Sequence, residues 1–191
     1  MLVVSSILQY VSGKWCGSSD DDVLEYRTNR LARKAGLRVP ETKSTRLSEA
    51  GTTFFSKRFD RDGARRIPYA SAMTMLGATD GDSGHSYLEI AEFLSANGAN
   101  PDEDLRELWS RMAFSQLVRN TDDHLRNHGF LLTAKGWRLA PMFDVNPNPD
   151  GGENVLDMGD LFRDAEYYRL TQAEARDRDR VLQRVVEGSA L

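Results

Sequence analysis

The hydrophobic positions along the chain follow two periods, one typical of helices and one typical of strands. Apolar residues at helical spacing predict four helices, over residues 23–35, 69–76, 87–96 and 102–118. Short apolar stretches bounded by turn residues predict strands over residues 3–11, 52–59, 129–133 and 137–139. Because the last 30 residues are also mainly helical in pattern, we predict an α+β fold with more helix than strand.

The segments between these elements are polar and rich in turn-forming residues. We predict a polar turn over residues 13–22, a basic loop over residues 60–68 and an exposed loop over residues 78–84. The last two strands are joined at Ala134-Lys135-Gly136, so residues 129–139 are predicted to form a β-hairpin. Polar side chains are therefore concentrated in the segments on both sides of this hairpin.

Composition and charge exclude several classes of protein. With 40% hydrophobic and 28% charged residues, the 191-residue chain is typical of a soluble globular protein. A net charge of -4 gives no electrostatic reason to expect direct binding of nucleic acid. The single cysteine, Cys16, excludes an internal disulfide and fits a reducing compartment. The apolar segment at the N-terminus has no basic residue before it, as a signal peptide would, and no apolar stretch reaches about 20 residues. We therefore expect a cytoplasmic protein without membrane attachment.

The densest group of chemically useful side chains lies in residues 120–128, NTDDHLRNH. Asp122 and Asn127 are five positions apart, which would turn them about 140° from each other on a helix, so a loop is needed to aim both at one point. A second carboxylate, Asp144, follows the hairpin. This layout is typical of protein-kinase catalytic loops, in which the first Asp accepts the proton of the substrate hydroxyl. The Asn and the second Asp supply oxygen ligands to Mg²⁺.

Two other interpretations of the same residues stay open at this point. Clusters such as Asn-Thr-Asp-Asp are common as helix caps and turns, and such a cluster needs no chemistry. A metal-dependent hydrolase would instead use Asp123, His124 and His128, but it lacks a third compact group of ligands, since His85, the remaining histidine, lies in the predicted exposed loop.

Five segments of the chain, in order, match the pattern of one known family. They are residues 25–40 (EYRTNRLARKAGLRVP), 56–63 (SKRFDRDG), 67–78 with 85–92 (IPYASAMTMLGA and HSYLEIAE), 120–132 (NTDDHLRNHGFLL) and 137–144 (WRLAPMFD). The last two are similar to the catalytic and metal-binding segments of the HipA kinases. The resemblance covers residues 18–176, and five ordered segments are far more specific than any one of them.

This resemblance implies a protein-kinase-like fold and an ATP- and Mg²⁺-dependent reaction. It implies a partial N-lobe with the hinge in residues 1–60 and a mainly helical C-lobe in residues 61–191. Asp122 would be the catalytic base, and Asn127 and Asp144 would hold Mg²⁺. The implied ATP-binding residues are Lys57, Arg58 and Phe59 at the hinge, His124, Leu125, Arg126 and Asn127 around the phosphates, and Phe143 with Asp144.

The family's known activity sets the functional expectation. The resemblance implies phosphorylation of a protein serine or threonine by the toxin of a type II toxin–antitoxin system. It implies a HipB-like DNA-binding antitoxin as partner, and glutamyl-tRNA synthetase as a target known in the family. No other feature of the sequence identifies the target.

The chain departs from the family pattern at the phosphate-binding side. HipA kinases begin with a small N-terminal subdomain and a Gly-rich phosphate loop, whereas this sequence contains neither G-x-G-x-x-G nor G-x-x-x-x-G-K-[ST]. Lys14 is the candidate for the strand lysine that holds the phosphates. We therefore expect an N-terminally truncated kinase region, and the rival hypothesis is a catalytically impaired remnant that binds antitoxin or nucleotide without transferring phosphate.

Overall fold

The structure is a computed structural model that describes residues 10–12, 21–48, 51–79, 82, 85–148 and 157–189. The candidate phosphate lysine, Lys14, and most of the strand predicted over residues 3–11 lie outside the described residues. No helix in the described part of the chain is both long enough and apolar enough to cross a membrane.

A three-stranded antiparallel sheet forms the N-terminal part of the described chain. It consists of β1 (Tyr10–Ser12), β2 (Thr42–Ser48) and β3 (Gly51–Lys57), with β3 in the centre. The helix α1 (Asp21–Lys34) packs against β3 and β2. Gly36, with a φ of 86°, follows the end of α1 in the left-handed conformation that glycine adopts without strain. The predicted helix over residues 23–35 is therefore confirmed.

The larger part of the fold is helical and surrounds one long helix. The helices are α2 (Ala72–Met75), α3 (Tyr87–Asn97), α4 (Pro101–Leu117), α5 (Met158–Arg163) and α6 (Gln172–Glu187), with a 3₁₀ turn over Ala165–Tyr168. Pro101 at the first position and an acidic first turn favour the start of α4. Its residues Trp109 and Phe114 are fully buried at the centre of the core. The core is thus built around α4.

A second antiparallel sheet lies against the helices and leads into the polar loops. It has the order β6 (Tyr69–Ser71), β7 (Gly129–Thr133) and β8 (Gly136–Leu139). Two-residue strands β4 (Arg61–Asp62) and β5 (Arg65–Arg66) form a small hairpin before it. The predicted hairpin of residues 129–139 is confirmed, and it places the loop before β7 and the segment after β8 side by side.

Three sequence-based assignments differ from the structure. The predicted helix over residues 69–76 is wrong in its first half, because Tyr69 pairs with Leu131 and Ala70 with Phe130 in the second sheet. Sheet pairing outweighs the helical spacing there, and only Ala72–Met75 is helical. The strand β2 was not predicted, since its sequence, TKSTRLS, lacks a clear apolar alternation. The basic loop of residues 60–68 contains the β4–β5 hairpin.

Candidate active site

A cavity of about 390 Å³ opens beside the end of β3. Five of the predicted ATP-binding residues line it, namely Lys57, Arg58, Phe59, Phe143 and Asp144. The remaining lining residues are Glu25, Phe54, Ser56, Asp60 and Tyr69. The predicted hinge and the segment after the hairpin therefore meet at one cavity, although they are more than 80 positions apart in the sequence.

One wall of this cavity is aromatic. The ring centroid of Phe59 lies 5.6 Å from that of Phe143 and 5.8 Å from that of Tyr69, and both ring pairs are tilted. Burial, with the charge of Asp60 in addition, raises the pKa of Tyr69 to about 12, so this phenol is neutral at physiological pH. An apolar wall of this kind suits a flat heterocyclic ligand.

The charged groups of Lys57 and Arg58 are paired with neighbouring carboxylates. Arg58 forms a bidentate pair with Asp60, at 2.7 Å from Nε to Oδ1 and 2.5 Å from Nη2 to Oδ2. The hydrogen bond from Arg58 lowers the pKa of Asp60 below its ordinary value. Nζ of Lys57 lies 3.1 Å from Oε2 of Glu41 at the surface. Lys57 and Arg58 therefore line the cavity with their charges already compensated.

One side-chain amide brings together the three residues that the catalytic hypothesis requires. Nδ2 of Asn127 donates to the carbonyl oxygen of Asp122 at 3.0 Å and lies 3.5 Å from the carbonyl oxygen of Asp144. Both contacts use the amide nitrogen, so within the part of the chain that the structure describes Oδ1 of Asn127 accepts no hydrogen bond. This oxygen, on a side chain that is otherwise buried, is the atom that could coordinate a cation.

The carboxylates of Asp122 and Asp144 lie in different environments. The Asp122 side chain is 67% exposed, with Oδ1 3.9 Å from Nε2 of His124. Asp144 adopts a φ of 55°, in the left-handed region that non-glycine residues rarely occupy, and its Oδ1 accepts a hydrogen bond from Asn146 at 3.1 Å. Unusual backbone conformations of this kind are concentrated at functional sites.

Asp123 and His128 face the interior instead. Nε2 of His128 lies 2.9 Å from Oδ1 of Asp123, and the hydroxyl of Tyr87 donates to Oδ2 of Asp123 at 2.7 Å. Both carboxylate oxygens of Asp123 are thus engaged within the protein. Among the described residues no group of three or more His, Cys, Asp or Glu side chains could hold a metal ion. This arrangement argues against the metal-hydrolase interpretation.

Sequence reasoning missed the buried ion network behind Asp144. Arg111, from the centre of α4, donates to Oε1 of Glu107 at 2.9 Å and to the carbonyl oxygen of Ala140 at 2.7 Å. The backbone N–H of Met142 donates to the carbonyl oxygen of Arg38 at 2.7 Å. The segment that leads to Phe143 and Asp144 is therefore held from two sides. No signal in the sequence separates Arg111 from the solvated arginines of other helices.

Other residues of the predicted phosphate loop have structural contacts. The backbone N–H of Met73 donates to the carbonyl oxygen of Leu125 at 3.3 Å, which ties the loop to α2. His124 to Asn127 do not line the aromatic cavity, which ends at Asp144 on this side. Glu25, Asp60 and Tyr69, which do line it, were not predicted individually, because helix and loop patterns do not indicate which side chains face a cavity formed by distant segments.

Comparison with known proteins places these features in a family. Residues 8–189 match the family model described as the HipA-like C-terminal domain. A Haemophilus influenzae protein named "Putative kinase" is 31% identical over 146 residues, which cover 66% of this chain and 42% of that protein.

Two solved structures share the fold. Shewanella oneidensis HipA, solved with HipB and operator DNA, has a TM-score of 0.77 at 18% identity, covering 93% of this chain and 50% of that one. The Helicobacter pylori proinflammatory kinase CtkA has a TM-score of 0.63 at 13% identity, covering 93% and 85%. The fold is therefore α+β and protein-kinase-like, and the chain spans half or less of the length of HipA and of the Haemophilus protein.

Proposed function

Because the chain belongs to the HipA-like C-terminal domain family, we propose that it is a kinase that transfers the γ-phosphate of ATP to a serine or threonine hydroxyl of a protein. The observation that carries this proposal is the contact of one amide, that of Asn127, with the backbone of both Asp122 and Asp144. These three residues would supply a proton acceptor and two oxygen ligands, which is the minimum that a kinase catalytic loop requires.

The adenine of ATP would lie in the cavity, against the aromatic wall formed by Phe59, Phe143 and Tyr69. The backbone of the hinge, at Lys57, Arg58 and Phe59, would face the edge of the base. We propose on this basis that residues 1–60 correspond to a partial N-lobe with the hinge, and residues 61–191 to the C-lobe. The cavity is supported as the nucleotide site by its size, its aromatic wall and its border on Asp144.

Asn127 and Asp144 fit a magnesium ion by the chemistry of their donor atoms. Mg²⁺ prefers hard oxygen ligands and is held in such sites by one or two protein groups together with the phosphates of the substrate. Oδ1 of Asn127 and the carboxylate of Asp144 supply two such oxygens. A bound Mg²⁺ would neutralise phosphate charge during transfer.

We propose that Asp122 acts on the acceptor rather than on the nucleotide. In the proposed step the hydroxyl oxygen of the acceptor forms a bond to the γ-phosphorus while the bond from that phosphorus to the β-bridging oxygen breaks. The hydroxyl proton passes to the carboxylate of Asp122, and the products are a phosphoester and ADP. The high exposure of Asp122 leaves its carboxylate accessible to a protein substrate.

The biological role is proposed from the family and from one structural relative. Shewanella HipA was solved with HipB and operator DNA. We accordingly propose that this chain is part of a cytoplasmic toxin, that its partner is a HipB-like antitoxin rather than DNA itself, and that glutamyl-tRNA synthetase is the first substrate to test. A binding module without phosphate transfer is the alternative outcome of the experiment below.

Two substitutions in the full-length protein separate these candidates. Asp122→Asn should reduce phosphate transfer at least about 100-fold while Mg-ATP affinity stays nearly unchanged, because the base acts only on the acceptor. Asp144→Asn should weaken Mg-ATP binding as well, because it removes a charged metal ligand. Transfer is measured as incorporation of label from γ-labelled ATP into glutamyl-tRNA synthetase and into the chain itself, and binding by calorimetry with and without Mg²⁺.

Asp177→Asn is the matched control, because its carboxylate on α6 is 69% exposed, close to the 67% of Asp122. It should leave both transfer and binding unchanged. Folded protein that binds Mg-ATP but shows no Asp122-dependent incorporation into either acceptor would contradict the kinase proposal and support the binding module.

A further inference from the structure

A hydrogen bond joins the two ends of the loop that carries Asp122 and Asn127. It is formed by the residues that follow them in the sequence. Asp123 follows Asp122 and His128 follows Asn127 in the sequence. Nε2 of His128 lies 2.9 Å from Oδ1 of Asp123. Asp123, which follows the proposed base, is therefore hydrogen-bonded to His128, which follows the proposed metal ligand.

A third residue anchors this pair to the helical core. The hydroxyl of Tyr87, the first residue of α3, donates to Oδ2 of Asp123 at 2.7 Å. The ring of Tyr87 also contacts the His128 ring edge-on, with centroids 5.2 Å apart. The side chains of Asp123 and His128 are only 8% and 5% exposed. The three side chains thus form a closed, buried contact between the loop and α3.

The geometry of the chain transmits this contact to the functional side chains. Asp122 and Asp123 are adjacent in the chain and their side chains are 67% and 8% exposed, so fixing the inward side chain of Asp123 also restricts the outward side chain of Asp122. His128 is fixed in addition through its carbonyl oxygen, which accepts the N–H of Ala72 at 2.8 Å. Movement of the loop relative to α3 would require these hydrogen bonds to break.

We propose that Tyr87, Asp123 and His128 form a positioning clamp that sets the orientation of Asp122 and Asn127 for phosphate transfer. This inference rests on the proposed kinase function. The three residues touch neither nucleotide nor acceptor in it, and they act through the residues beside them. Directional bonds suit this role, because a buried apolar contact of equal size would hold the loop in place without fixing its rotation.

The ionisation of Asp123 agrees with this geometry. Burial alone would raise the pKa of this carboxyl, but attraction by His128 and the hydrogen bonds from His128 and Tyr87 outweigh it and lower the pKa below its ordinary value. Asp123 is therefore an anion at neutral pH, and a charged acceptor makes stronger hydrogen bonds than a neutral one. A buried anion with both oxygens engaged is costly to displace, which favours one fixed loop conformation.

Tyr87→Phe is the main test, because it removes one hydroxyl and keeps the ring against His128. We expect kcat to fall about ten-fold, while KM for ATP stays within about two-fold, since small displacements of catalytic groups have effects of this order or larger. Hydrogen exchange of the peptide covering residues 120–128 should become faster. Asp123→Ala should lower kcat about 100-fold, and Asp123→Asn, which keeps the shape and one acceptor, should recover part of that loss.

Ser110→Ala is the matched control, because it also removes one buried hydroxyl with its hydrogen bonds, to Arg106 and from Arg178, where α4 meets α6. It should lower the melting temperature by a similar amount without changing kcat or exchange in residues 120–128. A Tyr87→Phe variant that matches Ser110→Ala in kcat and in exchange would overturn the clamp.

The clamp and the kinase proposal fail in different ways. If the wild-type protein shows no Asp122-dependent transfer, the proposed function is wrong, and hydrogen exchange alone then decides whether Tyr87 holds the loop. If transfer depends on Asp122 but Tyr87→Phe and Asp123→Ala both keep the wild-type kcat, the function stands and the clamp is refuted.

Discussion

Arg111 is the residue whose replacement should most disturb the segment that ends in Asp144. Its side chain is 2% exposed and donates to Glu107, to the carbonyl oxygen of Ala140 and, at 3.4 Å, to that of Arg38. Burial lowers the pKa of the guanidinium from its ordinary value, and the charge of Glu107 opposes this effect. Arg111→Met keeps most of the apolar stem but removes every donor, so three acceptors lose a partner at once.

The expected loss of unfolding free energy follows from the groups that lose Arg111 as their hydrogen-bond partner. Removing one member of a buried ion pair costs about 3–5 kcal/mol, because the remaining charge is uncompensated. Glu107 keeps a hydrogen bond from the backbone N–H of Arg38 at 2.9 Å and an ion pair with Nε of Arg38 at 3.9 Å, so we expect a value near the lower end, about 3 kcal/mol. In a chain of this length that corresponds to a fall in the melting temperature of roughly 6–12 °C.

Urea unfolding followed by far-ultraviolet circular dichroism measures this loss. Arg106→Met is the matched control, since Arg106 lies on the same helix and pairs with Glu174 at 3.5 Å with its side chain 39% exposed. It should cost less than about 1 kcal/mol. In the double variant Arg111→Met/Glu107→Gln the losses should not add, because the second change removes the uncompensated charge. A loss for Arg111→Met no larger than that of the control would refute this account of the segment.

Two further predictions concern carboxylates outside the catalytic loop. Asp179→Asn should stabilise the protein at pH 7, because burial raises the pKa of this carboxyl and one of its oxygens has no partner among the described residues. The native state holds this proton more tightly than the unfolded state, so the gain should shrink as the pH falls through the native pKa, which pH-dependent melting curves measure. Asp60→Asn should have the opposite effect and destabilise the protein. The hydrogen bond from Arg58 lowers the pKa of Asp60, so this pair contributes stability above the ordinary pKa of an aspartate and loses it in acid. Because the pair is partly exposed, we expect a loss below about 1 kcal/mol at pH 7, which disappears at low pH.

Elements with a strong local pattern were predicted well from the sequence. The helices α1, α3 and α4 and the β7–β8 hairpin lie within two residues of their predicted bounds. Each has a clear apolar period and a terminal signal, such as Pro101 or Gly36. The strand β6 was missed because its three residues are held by pairing with β7, nearly 60 positions later, and not by their own spacing. Local patterns cannot indicate a strand of that kind.

The sequence predicted the residues of the candidate site but not the residues that hold them in position. The spacing of Asp122, Asn127 and Asp144, together with the resemblance, indicated three residues, and the structure brings the backbone carbonyls of Asp122 and Asp144 to the side-chain amide of Asn127. Their catalytic and metal-binding roles stay predictions. Arg111, in contrast, contacts Ala140 across 29 positions and Arg38 across 73, so its burial is decided by tertiary packing. A charge in the middle of a helix has the same sequence signature whether it is solvated or buried.

Different helices hold the two segments of the candidate site in position. The loop with Asp122 is held through Asp123 to Tyr87 on α3, whereas the segment with Asp144 is held through Ala140 to Arg111 on α4. The two segments meet where Nδ2 of Asn127 contacts the backbone of both.

Since α3 and α4 pack against each other in the core, their contact relates the loop with Asp122 to the segment with Asp144. The relative position of these two segments therefore depends on the helical core. A substitution in the sheet of β1, β2 and β3 that leaves the core intact should accordingly affect nucleotide binding before it affects the geometry of Asp122.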